Sequence, residues 1–188
     1  MPKLWSETIA EHRSVVFDAI LDATAELVHR HGPTGVTMTA LAESSGVGRA
    51  TLYRYVPDVA SALSAWQHRE VSRHLQRLRA IAAETAAETR LDAVLAGYAR
   101  IRSHRHGDDG AMHEASRLAP AEAELRELVK EIITDDARAG RARTDLSSEE
   151  LAAYAIASLG ATALLPAPSS ALRLSRLVVG TIRGESAP

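Results

Sequence analysis

The chain has 188 residues, 22 Lys and Arg against 24 Asp and Glu, and 46% hydrophobic residues of which few are aromatic (4% of the chain). That length can bury a real core and suits a small head on a larger body, and an apolar content dominated by Ala, Leu, Val and Ile favours helices over sheet. With no cysteine, disulfides, thiol nucleophiles, thiol redox sensing and cysteine-ligated zinc are excluded, as suits a reducing cytoplasm.

From the amino terminus, Met-Pro-Lys-Leu-Trp-Ser-Glu lacks an apolar signal core. Val16, Phe17, Ile20, Leu21, Thr24, Leu27 and Val28 then follow helical spacing until His31-Gly32-Pro33 stops the helix. Next comes the most informative stretch, Thr37 to Pro57. Thr37 is placed to cap a short helix through Met38, Leu41 and Ala42, and Gly46 tolerates the left-handed backbone that ends it. In the following helix Val47 and Leu52 fill the wedge against the first, which leaves Arg49, Ala50, Tyr53 and Arg54 on or near the outer side. Ser44 to Pro57 holds two arginines and two tyrosines but no Asp or Glu. Arginine suits guanine edges and phosphates, and tyrosine hydroxyls suit phosphate oxygens. The stretch therefore reads as a DNA-binding helix-turn-helix, although Tyr53 and Tyr55 also suit plain packing.

Pro57 and Asp58 open a long helix through Leu63, Trp66, Val71, Leu75, Leu78 and Ile81. Leu91 to His106 is helical around Val94, Leu95, Tyr98 and Ile101, and His106-Gly107-Asp108-Asp109-Gly110 breaks it. A short helix from Met112 to Leu118 is expected to end before Pro120, with another from Ala121 to Ala139 closed by Gly140. Ser147 and Glu150 form a capping box that starts a helix running to Leu165. After Pro166 to Ser170 a last helix carries Leu172, Leu174, Leu177, Val178, Val179 and Ile182. These two final helices are apolar on more than one side and call for a partner. The small residues Ala152, Ala155, Gly160 and Ala161 suit close helix approach at a homodimer interface, the alternative being the core of one subunit. The longest apolar tract, Leu151 to Leu165, is too short and too mixed to span a membrane.

At Gly35, Thr37, Leu41-Ala42, Gly46-Val47, Arg49-Ala50-Thr51-Leu52-Tyr53 and Tyr55-Val56-Pro57 the chain resembles the TetR family of transcriptional regulators. The resemblance is strongest over the first third. It implies an all-α fold of about nine helices, with a helix-turn-helix head over residues 1–57 and a ligand-binding and dimerisation body over 58–188. It also implies that Thr37 and Tyr55 contact phosphates while Arg49, Ala50, Thr51, Tyr53 and Arg54 lie in or beside the major groove. Two positions depart from the family pattern: Val56 stands where a phenylalanine is usual, and Val59 where a lysine is common. Residues 1–57 carry five Lys or Arg and six Asp or Glu, so specificity rests on a few contacts rather than on a basic surface.

In the family, effectors bind inside the body and change the separation of the two heads. Trp66, Tyr98, Met112, His113 and Arg117 are the candidate ligand contacts here, plain core packing being the commoner role for each such residue. His104, His106 and His113, with Asp108, Asp109 and Glu114, lack defined ligand spacing, so no metal and no cofactor is expected. No phosphate loop, nucleophile elbow or His-Glu-x-x-His signature points to an enzyme. The function expected is a cytoplasmic repressor, homodimeric on a palindromic double-stranded DNA operator and released by a small molecule. The second reading is a helical protein-interaction adaptor that has lost specific DNA binding, suggested by Val56, Val59 and the neutral head.

Overall fold

The computed structural model describes the backbone of residues 3–103, 111–165 and 168–185, and side chains within 12–103, 120–165 and 169–185. Among these the chain is entirely helical, with eight α-helices and two short 3-10 turns where about nine helices were expected. The helices are α1 (Lys3–His31), α2 (Met38–Ser45), α3 (Arg49–Tyr55), α4 (Val59–Glu84), α5 (Ala87–Ser103), α6 (Ala111–Arg138), α7 (Ser148–Gly160) and α8 (Pro168–Arg183). They group into two compact units, Met1–Glu70 and Val71–Pro188. The division falls inside α4, whereas the sequence places it at the start of that helix.

The first unit is built as its sequence dictates. Ile20, Ala23 and Leu27 of α1 are buried with Leu41 of α2, Leu52 of α3, and Val36, Val56 and Ala62. Thr24 is buried among them, its hydroxyl donating to the Ile20 carbonyl at 2.8 Å. Gly32, with φ of 69°, ends α1 as expected.

In the second unit, α5 is central: Leu91, Val94, Leu95 and Ala99 are fully buried, packed with Val129 and Ile133 of α6, Leu151 and Leu159 of α7, and Val178 and Ile182 of α8. The capping box at α7 is formed. The Ser147 hydroxyl accepts the Glu150 N–H at 3.2 Å, and the Glu150 carboxylate accepts the Ser147 N–H at 2.9 Å. At the end of α6, Gly140 is left-handed (φ 71°), and Arg141 folds back to donate twice to the buried Asp136 carboxylate, at 2.6 and 2.9 Å.

Two expectations are corrected. Pro120 does not separate two helices; it lies inside α6. Proline removes one helical hydrogen bond and crowds the preceding turn, a cost of about 3 kcal/mol. Burial of Leu125, Val129, Ile132 and Ile133 on the same helix offsets that cost, at about 1.5–3 kcal/mol for each large side chain. The small residues of α7 are also apportioned differently: Ala152 and Ala155 are fully buried in the subunit's own core, and the exposed ones are Ala153 and Ala157, with Ala161 exposed in the 3-10 turn (Ala161–Leu164) that follows.

Candidate functional site

Thr37 caps α2 because its extended backbone turns the side chain onto the first orphan donors: its Oγ1 accepts the Ala40 N–H at 3.1 Å. The hydroxyl proton stays free for an external acceptor. Gly46 ends α2 in the left-handed region at φ 67°, and the Ser45 hydroxyl donates to the Leu41 carbonyl at 2.6 Å. The turn then delivers α3, whose Leu52 is completely buried. Pro57 disfavours helical backbone at the residue before it, and Val56 is accordingly extended (φ −134°, ψ 111°), so α3 stops at Tyr55. The Asp58 carboxylate accepts the Ser61 N–H at 2.7 Å as α4 begins. The backbone bond from Ser61, followed by its hydroxyl, holds the Asp58 carboxyl below the ordinary aspartate value.

With Leu52 inward, Arg49, Ala50, Tyr53 and Arg54 share one exposed side of α3, and Tyr53 is 47% exposed. Thr51 and Tyr55 are half-buried. The Tyr55 ring stacks on Phe17 of α1, with centroids 6.2 Å apart and planes 21° from parallel. Val56 is only 2% exposed, and Val59 packs against the same core. Thus the departures from the usual phenylalanine and lysine are absorbed as apolar packing, with Phe17 and Tyr55 supplying aromatic bulk between α1 and α3.

The charges of the first unit are arranged unevenly. Glu26 pairs with Arg30 and accepts the Ser44 hydroxyl at 2.9 Å. Asp18 and Asp22 meet Arg69 of α4, at 3.5 and 2.8 Å. Arg49 and Arg54 have no ion-pair partner among the described residues. Although this unit is not basic as a whole, its two unpaired α3 guanidinium groups lie beside exposed Tyr53. The exposed side of α3 can therefore offer cationic and hydroxyl donors to phosphates and base edges.

Within the second unit, a cavity of about 60 Å³ opens between α4, α5 and α6, lined by Val71, His74, Leu75, Leu78, Tyr98, Ile101, Arg102, Ala121, Glu122 and Leu125. Of the ligand contacts expected from sequence, Tyr98 lines it. Trp66 belongs to the first unit, and the side chains of Met112, His113 and Arg117 lie outside the described residues, as do His104, His106, Asp108, Asp109 and Glu114. His74 and Arg102 were not singled out from the sequence. Their signal was present: each interrupts an apolar stripe, as in Val71, His74, Leu75 and Leu78, or Tyr98, Ile101 and Arg102, spaced three and four apart. Among the described residues, no group of His, Asp and Glu has the arrangement of a metal site.

Residues 20–58, from the core of α1 to the residue before α4, match the family model described as bacterial regulatory proteins, tetR family. The helix-turn-helix segment is thus of the TetR type. Over 64 residues it is 36% identical to an uncharacterised HTH-type transcriptional regulator of Mycobacterium tuberculosis, a match covering 34% of this chain and 32% of that protein. The chain is thus aligned with about a third of the length of the curated relatives it matches. Similarity of fold extends much further. A TetR/AcrR-family regulator from Thermobifida fusca superposes with a TM-score of 0.74 at 18% identity, covering 89% of this chain and 98% of the other. FadR from Bacillus subtilis, solved in complex with stearoyl-CoA, gives a TM-score of 0.66 at 14% identity over 91% and 100% of the two chains. Likeness of fold therefore covers both units.

Proposed function

We propose that this protein is a cytoplasmic, homodimeric transcriptional repressor that binds a palindromic DNA operator and is released from it by a small-molecule effector. The observation that carries the reading is the outer side of α3, where Arg49 and Arg54 stand exposed beside Tyr53 with no ion-pair partner among the described residues, while Asp18, Asp22 and Glu26 of α1 are engaged by Arg69 and Arg30. On DNA, Arg49, Ala50, Thr51, Tyr53 and Arg54 lie in or beside the major groove, and Thr37 and the Tyr55 hydroxyl meet phosphates. This arrangement favours regulation over the adaptor reading, which needs no free cations on α3.

Dimerisation is supported by the outward sides of α7, the 3-10 turn that follows it and α8. Tyr154, Ala157, Ala161 and Leu164 recur three to four residues apart and are all exposed, with Leu164 at 84%, and Leu177 of α8 is 58% exposed. An apolar stripe of this kind on the last helices suits self-association, and a two-fold dimer presents two copies of α3 to two half-sites. The effector role falls to the cavity of the body, as a ligand bound to FadR suggests for a protein of the same fold. A ligand that fits only the DNA-free arrangement weakens operator binding by its differential affinity for the two states.

The test is a fluorescence anisotropy titration on selected operator DNA over a range of salt. Arg49→Ala and Tyr53→Ala should each weaken specific binding by about 1–3 kcal/mol with dimer mass and helicity unchanged. Unfolding of both variants would return the residues to a structural role, and unchanged DNA affinity in folded variants would refute the interface.

A further inference from the structure

Taking the body cavity as the effector site, an assignment that rests on the reading above, we propose that its ligand is a small carboxylic acid. Its apolar part sits among Val71, Leu75, Leu78, Ile101 and Leu125, and its carboxylate meets the Arg102 guanidinium.

Arg102 carries the argument. Its Nε is inaccessible to solvent and has no hydrogen-bond partner among the described residues. The guanidinium is permanently charged, so a buried donor of this kind is costly until an acceptor arrives. The fold supplies carboxylates to other arginines: Arg79 meets Glu124 at 2.8 Å, Arg141 meets Asp136 at 2.6 Å, and Arg183 meets Asp92 at 2.5 Å. Arg102 has no such partner among the described residues, yet it lines the cavity beside apolar side chains. Glu122 also lines the cavity but is exposed, so water satisfies it and it makes no comparable demand for a ligand cation. An anionic group on an apolar body is the chemistry that answers both the unpaired donor and the lining.

At about 60 Å³ the cavity lies well below the roughly 300–1,000 Å³ usual for ligand pockets, which favours a ligand with a short or compact apolar part.

The experiment is calorimetric titration of the full chain with butyrate, hexanoate and octanoate, the matched primary alcohols and alkylammonium ions, and butyryl-CoA. The acids should bind at least about tenfold more tightly than the alcohols of equal length. Arg102→Gln should erase that preference and Arg102→Lys restore part of it, and Arg102→Gln should leave the ligand-free melting temperature no lower than the parent's because it removes an unpaired buried charge. The alcohol comparison on the unmodified protein stands even if a variant fails to fold. Equal binding of acid and alcohol, preference for alkylammonium, binding of butyryl-CoA but not of free acids, or no binding at all would each overturn the proposal. DNA binding measured on the same preparations separates the two readings. Protein that binds operator but no acid keeps the regulator and loses this ligand, and protein that binds acid but no DNA does the reverse.

Discussion

Gly35 before the helix-turn-helix and Gly46 in its turn are needed for different reasons. A Cβ on Gly35 would lie 2.6 Å from the His31 Cβ, so the backbone of α1 would have to yield. Gly35→Ala should cost about 1–3 kcal/mol as an overpacking change, measured by urea unfolding. At Gly46 there is open space but φ is 67°, so Gly46→Ala should cost about 1–2 kcal/mol through backbone strain alone. Ser147 offers a pH-dependent test. Its hydroxyl, which also donates to Glu150 at 2.6 Å, and then its backbone N–H lower the Glu150 carboxyl below the ordinary glutamate value. Because the folded value is depressed, the stabilisation is complete above the unfolded glutamate value and is lost as pH falls through the folded one. Ser147→Ala should therefore reduce stability at neutral pH, with the difference from the parent shrinking in acid. These caps and turns were legible in the sequence because each depends on residues within four positions. Arg102 was not, since its importance comes from a missing partner and only three-dimensional proximity shows which partners are missing.

Helix phase was legible wherever burial agreed with local preference. The apolar positions of α1 are buried as their spacing implies, and α7 begins at its capping box. Pro120 shows where local reading fails: proline is a helix stop by its own chemistry, but the buried side chains further along α6 outweigh it. Pro120→Ala should consequently stabilise the protein by about 1–3 kcal/mol, seen as a raised denaturant midpoint. The sequence also marked α7 and α8 as too apolar for one face, but it could not apportion them. Ala152, Ala155, Val178, Val179 and Ile182 are spent on the subunit's own core, while Tyr154, Leu164 and Leu177 remain exposed. Leu177→Glu should yield monomers in sedimentation with helicity retained and operator affinity lost. An unaltered dimer mass would remove α8 from the interface.

For the molecule as a whole, the two units differ in how far sequence reaches. The head reads directly, since helix, turn and helix are contiguous and the match to the TetR family falls on that segment. The body does not: its cavity is formed by α4, α5 and α6 together, and sequence alone does not say which of their faces converge. Tyr98, singled out as a large polar-tipped residue in an apolar stripe, lines that cavity, and His74 and Arg102 carry the same signal more faintly. The central claim is that two copies of the α3 surface read a symmetric DNA site. Its most direct test is selection of binding sites by the purified protein from a random duplex pool at near-physiological salt, where weak non-specific attraction is screened. The account predicts a palindrome whose recovery is lost with Arg49→Ala. Folded protein that enriches no sequence would contradict it.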